Sequence, residues 1–291
     1  MINIPLSRPD IDERDIQSVI NVLKTPYLSI GPKLTEFENR IANYVGRKFA
    51  IGVNSGTSAL HLILKSIGIG EGDEVVTTPF SFIASANCIL FEGARPVFVD
   101  IEEETLNMNP ELIEEAITEK TKGILPVDVF GHPCAWDEIM DIAQKNELYV
   151  IEDSCEALGA EYKGERCGSF GIAAAFGFYP NKQVTTGEGG MIVTDDEVLA
   201  NLCRSMRNQG RGEDMSWLNH ERLGYNFRLD EMSAALGLSQ LEKIEQILDM
   251  RSQVAHQYVI RLQEVSEVTV QFVRNDVAMS WFVFVIRLKK S

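Results

Sequence analysis

The sequence lacks any pair of cysteines at metal or redox spacing: Cys88, Cys134, Cys155, Cys167 and Cys203 are scattered singly. That excludes a C-x-x-C centre and a zinc cluster, and it suggests a reduced, cytoplasmic setting. Long apolar runs are missing as well, and residues 1–5 lack the pattern of a secretory leader, so a soluble, unprocessed protein is expected. Positive charge is scarce, with 27 Lys and Arg against 43 Asp and Glu for a net charge of −16. A field of that sign repels nucleic acid and anionic membranes, so any phosphate must be held locally, by backbone amides. The histidines His61, His132, His220 and His256 show no metal-ligand spacing and read as structural or surface residues. No internal repeat or low-complexity tract stands out.

What is present is a core. The 291 residues are 45% hydrophobic, enough for one large domain and part of another. Asp10 and Glu13 have capping-box spacing ahead of Ile16, Val19, Ile20 and Leu23, which predicts a first amphipathic helix. Leu34, Phe37, Ile41 and Tyr44 predict a second helix, closed by Gly46, and residues 49–53 read as a strand. Strands are then expected over 74–77, 96–99 and 123–127, separated by helices over 81–91 and near 110–117, with a further helix over 135–146. Such alternation implies right-handed crossovers and a mostly parallel sheet covered on both faces, with ligands gathering at strand ends.

Four places carry candidate chemistry. Asn54-Ser55-Gly56-Thr57-Ser58 joins the first strand to a helix and aims free N–H groups at an anion, although Ser55 or Thr57 could simply cap that helix. Phe82 follows Thr78-Pro79 at a strand exit, where its ring could stack on a flat ligand or be ordinary core. Asp153 ends the apolar strand that begins at Tyr149, and a carboxylate there needs a cation: a protonated pyridine nitrogen, an arginine or a metal, unless it caps the next helix. Lys182 follows the buried run Ala173, Ala174, Ala175, Phe176 and Phe178, stopped by Pro180, and leads into Thr186-Gly187-Glu188-Gly189-Gly190. Exclusion of water favours the neutral amine that attacks an aldehyde, while the alternative is a solvated loop lysine.

The C-terminal part reads as one more strand over 191–194, a helix starting at Val198, and an irregular stretch over 204–224 long enough to be functional. Asn226, Arg228 and Asp230 introduce a long helix that is expected to continue past Arg251 toward Leu262, followed by strands over 268–270 and 281–288. A division into a large domain over 1–245 and an apparently truncated start of a small α+β domain over 246–291 is expected.

Asn54-Ser55-Gly56-Thr57, Glu152-Asp153, Asn181-Lys182, Thr186-Gly187-Glu188-Gly189-Gly190 and Gly224-Tyr225-Asn226-Phe227-Arg228 stand in one order over nearly the whole chain. In that order the sequence resembles the sugar aminotransferases of the DegT/DnrJ/EryC1/StrS family, pyridoxal 5'-phosphate enzymes of the aspartate-aminotransferase type I fold. The resemblance implies that Lys182 binds the cofactor's aldehyde as a Schiff base and shuttles the proton, that Asp153 meets the ring nitrogen, and that Phe82 stacks on the ring. It further implies that Thr57 and Ser58 bind the phosphate and that Asn226 reaches the phosphate of a neighbouring subunit in a homodimer. The reaction implied moves an amino group from an amino acid, glutamate by expectation, to a nucleotide-linked keto-sugar for polysaccharide synthesis. Two departures are visible: Glu156 stands where many members carry a glutamine that donates to the ring hydroxyl, and Gly177 where many carry serine. Lys182 argues against the family's dehydratases, which have histidine there. The rival readings are a cofactor-binding regulator without turnover and a nucleotide-sugar oxidoreductase, the latter opposed by the lack of G-x-G-x-x-G after the first strand.

Overall fold

The architecture comes from a computed structural model that describes residues 5, 7–212 and 218–289. Residues 1–4, read above as lacking a leader, and residues 213–217 of the irregular stretch lie outside the described residues. The order is α1 (Glu13–Leu23), α2 (Pro32–Val45), β1 (Phe49–Val53), α3 (Gly56–Ser66), β2 (Glu74–Thr77), α4 (Ala84–Phe91) and β3 (Arg95–Phe98). The chain continues through α5 (Ile113–Ala116), β4 (Thr121–Leu125), α6 (Trp136–Lys145), β5 (Tyr149–Asp153), the short β6 (Glu161–Tyr162) and β7 (Glu165–Arg166), and β8 (Ala173–Gly177). It closes with β9 (Gly190–Thr194), α7 (Glu197–Arg207), α8 (Glu231–Glu242), α9 (Ile244–Leu262), β10 (Val268–Val270), β11 (Val277–Ala278) and β12 (Ile286–Leu288).

Seven strands form one sheet in the order β1-β9-β8-β5-β4-β2-β3. All run parallel except β9, which is antiparallel to both neighbours. The mixed, mostly parallel sheet expected from the alternating pattern is therefore present. Side chains of β8 alternate between its faces. Ala173 and Ala175 pack with Leu60 and Ile63 of α3, whereas Ala174 and Phe176 pack with Phe37 of α2 and Leu238 of α8. Both faces are thus covered by helices. The small side chains of β8 let α3 approach it closely, and this places the start of α3 over the strand ends.

Four expectations shift, each for a visible reason. The capping box falls on Asp12 and Asp15 rather than Asp10 and Glu13, because Asp10 lends its carbonyl to Gln240 and Lys243 instead. The helix expected from residue 81 begins at Ala84, after a turn in which the N–H of Ser85 bonds the carbonyl of Phe82. The long helix past residue 230 breaks at Lys243, whose amine is drawn to Asp10 O at 2.9 Å and Asp15 Oδ2 at 2.8 Å. The strand expected over 281–288 is reduced to Ile286–Leu288, since Trp281 has φ 51 and the N–H of Phe282 bonds Phe130 O.

Behind the sheet's active edge lies a fully buried pair of acids, Asp128 and Glu152. The Ser154 hydroxyl is 2.6 Å from Asp128 Oδ2 and 2.6 Å from Glu152 Oε1. One hydroxyl has one proton, so at least one carboxyl must be protonated to satisfy the second contact. The N–H of Cys134 bonds Asp128 Oδ1, and those of Gly168 and Phe170 bond the two oxygens of Glu152. Cys167 adds a thiol, its sulfur within 4.8 Å of a carboxylate oxygen from each acid. Burial pushes Asp128 up to about 6 and Glu152 well above the usual carboxylate range.

Because the folded carboxyl titrates above the unfolded one, its contribution is complete below the usual carboxylate range and is lost as pH rises through about 6. Asp128→Asn copies the protonated acid, since its amide can donate to Ser154 while its oxygen accepts from Cys134. In urea denaturation the variant should gain on the parent protein by about 1–3 kcal/mol between pH 4 and pH 8. A difference that stays flat over this range would contradict a shared proton.

Candidate active site at two adjacent strand ends

β5 and β8 are parallel neighbours, with Asp153 opposite Ala175, so the chain leaving each strand emerges at the same edge of the sheet. Asp153 is 4% exposed. Its Oδ2 accepts the Ser85 hydroxyl at 2.7 Å and its Oδ1 the N–H of Cys155 at 3.2 Å, both neutral donors. Ser81 stands 2.8 Å from Ser85 and extends the chain of hydroxyls.

Lys182 lies in the turn after β8, where its N–H bonds Tyr179 O at 2.9 Å. Its Nζ is 3.5 Å from Glu156 Oε1 and 4.0 Å from the centre of the Phe282 ring. The lysine side chain is only 15% exposed, so Lys182 is not a solvated loop lysine. Glu156 is fixed through Oε2, which accepts the N–H of Phe130 at 2.8 Å. Burial raises its carboxyl, and the Lys182 ammonium opposes the rise. The thiol of Cys155 is likewise raised by burial and then by the Asp153 carboxylate, while Lys182 pulls the other way. Cys155 thus lies within electrostatic reach of both Asp153 and Lys182.

Residues 54–58 join β1 to the start of α3. Ser55 caps α3, its hydroxyl accepting the N–H of Ser58 at 3.0 Å, which leaves the amides of Gly56 and Thr57 in the first turn without helix partners. Thr57 is half-buried, whereas the Ser58 hydroxyl already donates to Asn54 Oδ1 at 2.7 Å and must leave it to bind a phosphate. A Cβ on Gly190 would stand 2.4 Å from Ser55 O, so this glycine is what allows β9 to pass beneath the helix start. A Cβ on Gly177, by contrast, would meet Cys155 at an ordinary 3.5 Å, so packing does not forbid the serine common at that position.

Phe82 is 73% exposed, one turn ahead of Ser85 at the head of α4, and so is no core residue. Asn226 is exposed, and the neighbouring Phe227 carbonyl accepts the N–H of Asn54 at 3.0 Å, so its segment runs beside the turn over 54–58. A cavity of about 710 Å³ opens on the other flank of Lys182, lined by Arg251, Tyr258, Trp281, Phe282 and Phe284 among others. Asp153 and Ser58 are not in its lining, so it adjoins the strand-end site without being that site. Sequence reasoning missed Ser85, Phe130, Arg251 and Phe282. Ser81 and Ser85, four residues apart in the stretch after Thr78-Pro79, were the one available signal.

An amine that can take an aldehyde, a carboxylate for a ring nitrogen and free amides for a phosphate make up a donor set that pyridoxal phosphate fits. Fold and site together define the class, a type I pyridoxal-phosphate-dependent aminotransferase. Residues 9–291 match the family described as the DegT/DnrJ/EryC1/StrS aminotransferase family, and the chain belongs to it. It is 40% identical over 294 residues to the spore coat polysaccharide biosynthesis protein SpsC of Bacillus subtilis, covering 98% of this chain and 76% of that protein. It is 42% identical over 262 residues to the GDP-perosamine synthase of Caulobacter vibrioides, covering 90% of this chain and 70% of the relative. Among solved structures, the PLP form of the sugar aminotransferase Spr1654 from Streptococcus pneumoniae superposes with a TM-score of 0.94 at 30% identity, covering 99% of this chain and 79% of that one.

Gly190→Ala should push the start of α3 off β9. The expected loss is about 1–3 kcal/mol in urea denaturation, as for other overpacked sites, with weakened binding of pyridoxal phosphate. Parent-like values of both would show that the contact is relieved at no cost.

Proposed function

We propose that the protein transfers an amino group, with glutamate as donor, to a nucleotide-linked keto-sugar, and so supplies an amino-sugar for polysaccharide synthesis. The observation that carries the reading is the meeting of Lys182, Glu156 and Asp153 at adjoining strand ends beside the start of α3. Support for the acceptor comes from the relatives, one named for a GDP-sugar product and another for spore coat polysaccharide synthesis.

Pyridoxal phosphate, when bound, supplies the aldehyde that takes the amino group and a ring that accepts electrons from the substrate carbon. The residues do the rest. Lys182 would hold the group at Nζ and would serve as the acid and base that moves the proton in both half-reactions. Asp153, oriented by the hydrogen bonds of Ser85 and Cys155, would face the ring nitrogen and favour its protonated form. Glu156, whose carboxyl burial raises while the Lys182 ammonium opposes the rise, would face the ring hydroxyl in place of glutamine. The amides of Gly56 and Thr57 with the Thr57 and Ser58 hydroxyls bind the phosphate, Phe82 covers the ring against water, and Asn226 reaches into a second copy of the chain. A homodimer with shared sites in the cytoplasm belongs to this proposal, as does the division into a large domain over 1–245 and a small one from residue 246. Among the described residues, no helix is long and apolar enough to cross a membrane.

The purified protein should be yellow, borohydride should fix the cofactor on Lys182, and glutamate should bleach the colour. Lys182→Ala should abolish the exchange. A colourless protein that ignores added pyridoxal phosphate would refute the proposal.

A further inference from the structure

Arg251, on the first half of α9, makes an unusual set of contacts for a half-buried cation. Its Nη1 donates to the carbonyls of Trp281 at 3.1 Å and Phe282 at 2.9 Å. Its Nη2 donates to the carbonyls of Asn181 at 3.3 Å and Lys182 at 3.0 Å. Among the described residues it forms no ion pair, and burial lowers its pKa. A guanidinium is a planar fork with fixed donor directions, so four carbonyls bound to one fork are fixed relative to one another. Two belong to the Lys182 turn. The other two belong to the segment whose Phe282 ring faces the lysine ammonium at 4.0 Å.

We propose that Arg251 is a positioning residue for the Lys182 amine, fixing the lysine's own turn from below and seating the Phe282 ring against it from the side. The need for such a clamp is visible in the backbone. Trp281 has φ 51, a left-handed conformation that a bulky residue adopts only under constraint. The remaining bonds of the segment run the same way: Ser280 N–H to Gly131 O at 3.0 Å, Phe282 N–H to Phe130 O at 3.1 Å, and Gln183 Nε2 to Ser280 Oγ at 2.8 Å. Phe130 in turn fixes Glu156, the carboxylate on the other side of the same ammonium. One arginine thus ties the aromatic wall and the lysine into a single unit whose far end is the acid that pairs with the lysine. Loss of the fork frees the Lys182 turn and the ring at once, while the packing of α8 on α1 and α2 is untouched.

The proposal deepens the reading of Lys182 as the reacting amine, but its test needs no cofactor, so the two can fail separately. Cofactor-free protein is reductively methylated with formaldehyde and dimethylamine borane, and the rate at Lys182 is measured by mass spectrometry against exposed Lys24. Lys243, buried at the break between α8 and α9, reports general loosening. In Arg251→Met the Lys182 rate should rise at least about fivefold, the mark of a local opening, with Lys243 unchanged and Arg251→Lys intermediate. A Lys182 rate within about twofold of the parent, or a rise shared by Lys243, overturns the proposal. Should Arg251→Met not fold, Phe282→Leu decides. That change leaves all four carbonyl bonds in place, and it should still raise the Lys182 rate about threefold without moving Lys243; an unchanged rate overturns the role of the ring.

Discussion

A carboxylate buried at the end of a central strand is the constraint from which the rest of the site follows. Asp153 is 4% exposed, and its two hydrogen-bond partners are neutral donors. Two neutral bonds do not offset the desolvation of a full charge, which in a protein interior amounts to several kcal/mol. A cation close by would make the arrangement tolerable. The turn after the neighbouring strand β8 carries Lys182 to the same edge, where its ammonium pairs with Glu156 at 3.5 Å. In the proposed function, the protonated nitrogen of a heterocycle would be the cation that Asp153 meets.

The other buried charges show the contrast. Arg207 pairs with Glu38 and also bonds Gly52 O at 2.7 Å, so it joins α2, β1 and α7 without facing a site. Glu231 accepts the N–H groups of Lys33 and Leu34 at 2.9 and 2.7 Å and so completes the N-terminus of α2. Asp128 and Glu152 share a hydroxyl and need a proton between them. Each of these groups is satisfied within the protein. Around Lys182 the partners are instead looser, an ion pair at 3.5 Å and a ring at 4.0 Å, as suits an amine that must leave them to react.

Much of this was legible along the chain. The apolar runs of β1, β2 and β5 mark strands with their observed ends, and Gly46 closes α2 with φ 76, as its position implied. Asp153, Lys182 and the start of α3 could be singled out because each breaks a local rule: a charge at the end of an apolar strand, or free amides after one. The remainder depends on contacts distant in sequence. Lys243 breaks a helix only because Asp10 and Asp15 of the N-terminal segment draw its amine. Arg251 looks like any helical arginine until α9 is laid across the turns at 181–182 and 281–282. For Phe82, open to a core or a stacking role from composition, its exposure removes the core reading.

A crystal structure of the protein soaked with pyridoxal 5'-phosphate tests the central claim most directly. The account predicts density continuous from Lys182 Nζ to the cofactor, the ring nitrogen within hydrogen-bond distance of Asp153, and the phosphate against the amides of Gly56 and Thr57. A ring bound anywhere else, or one whose nitrogen faces away from Asp153, would contradict it.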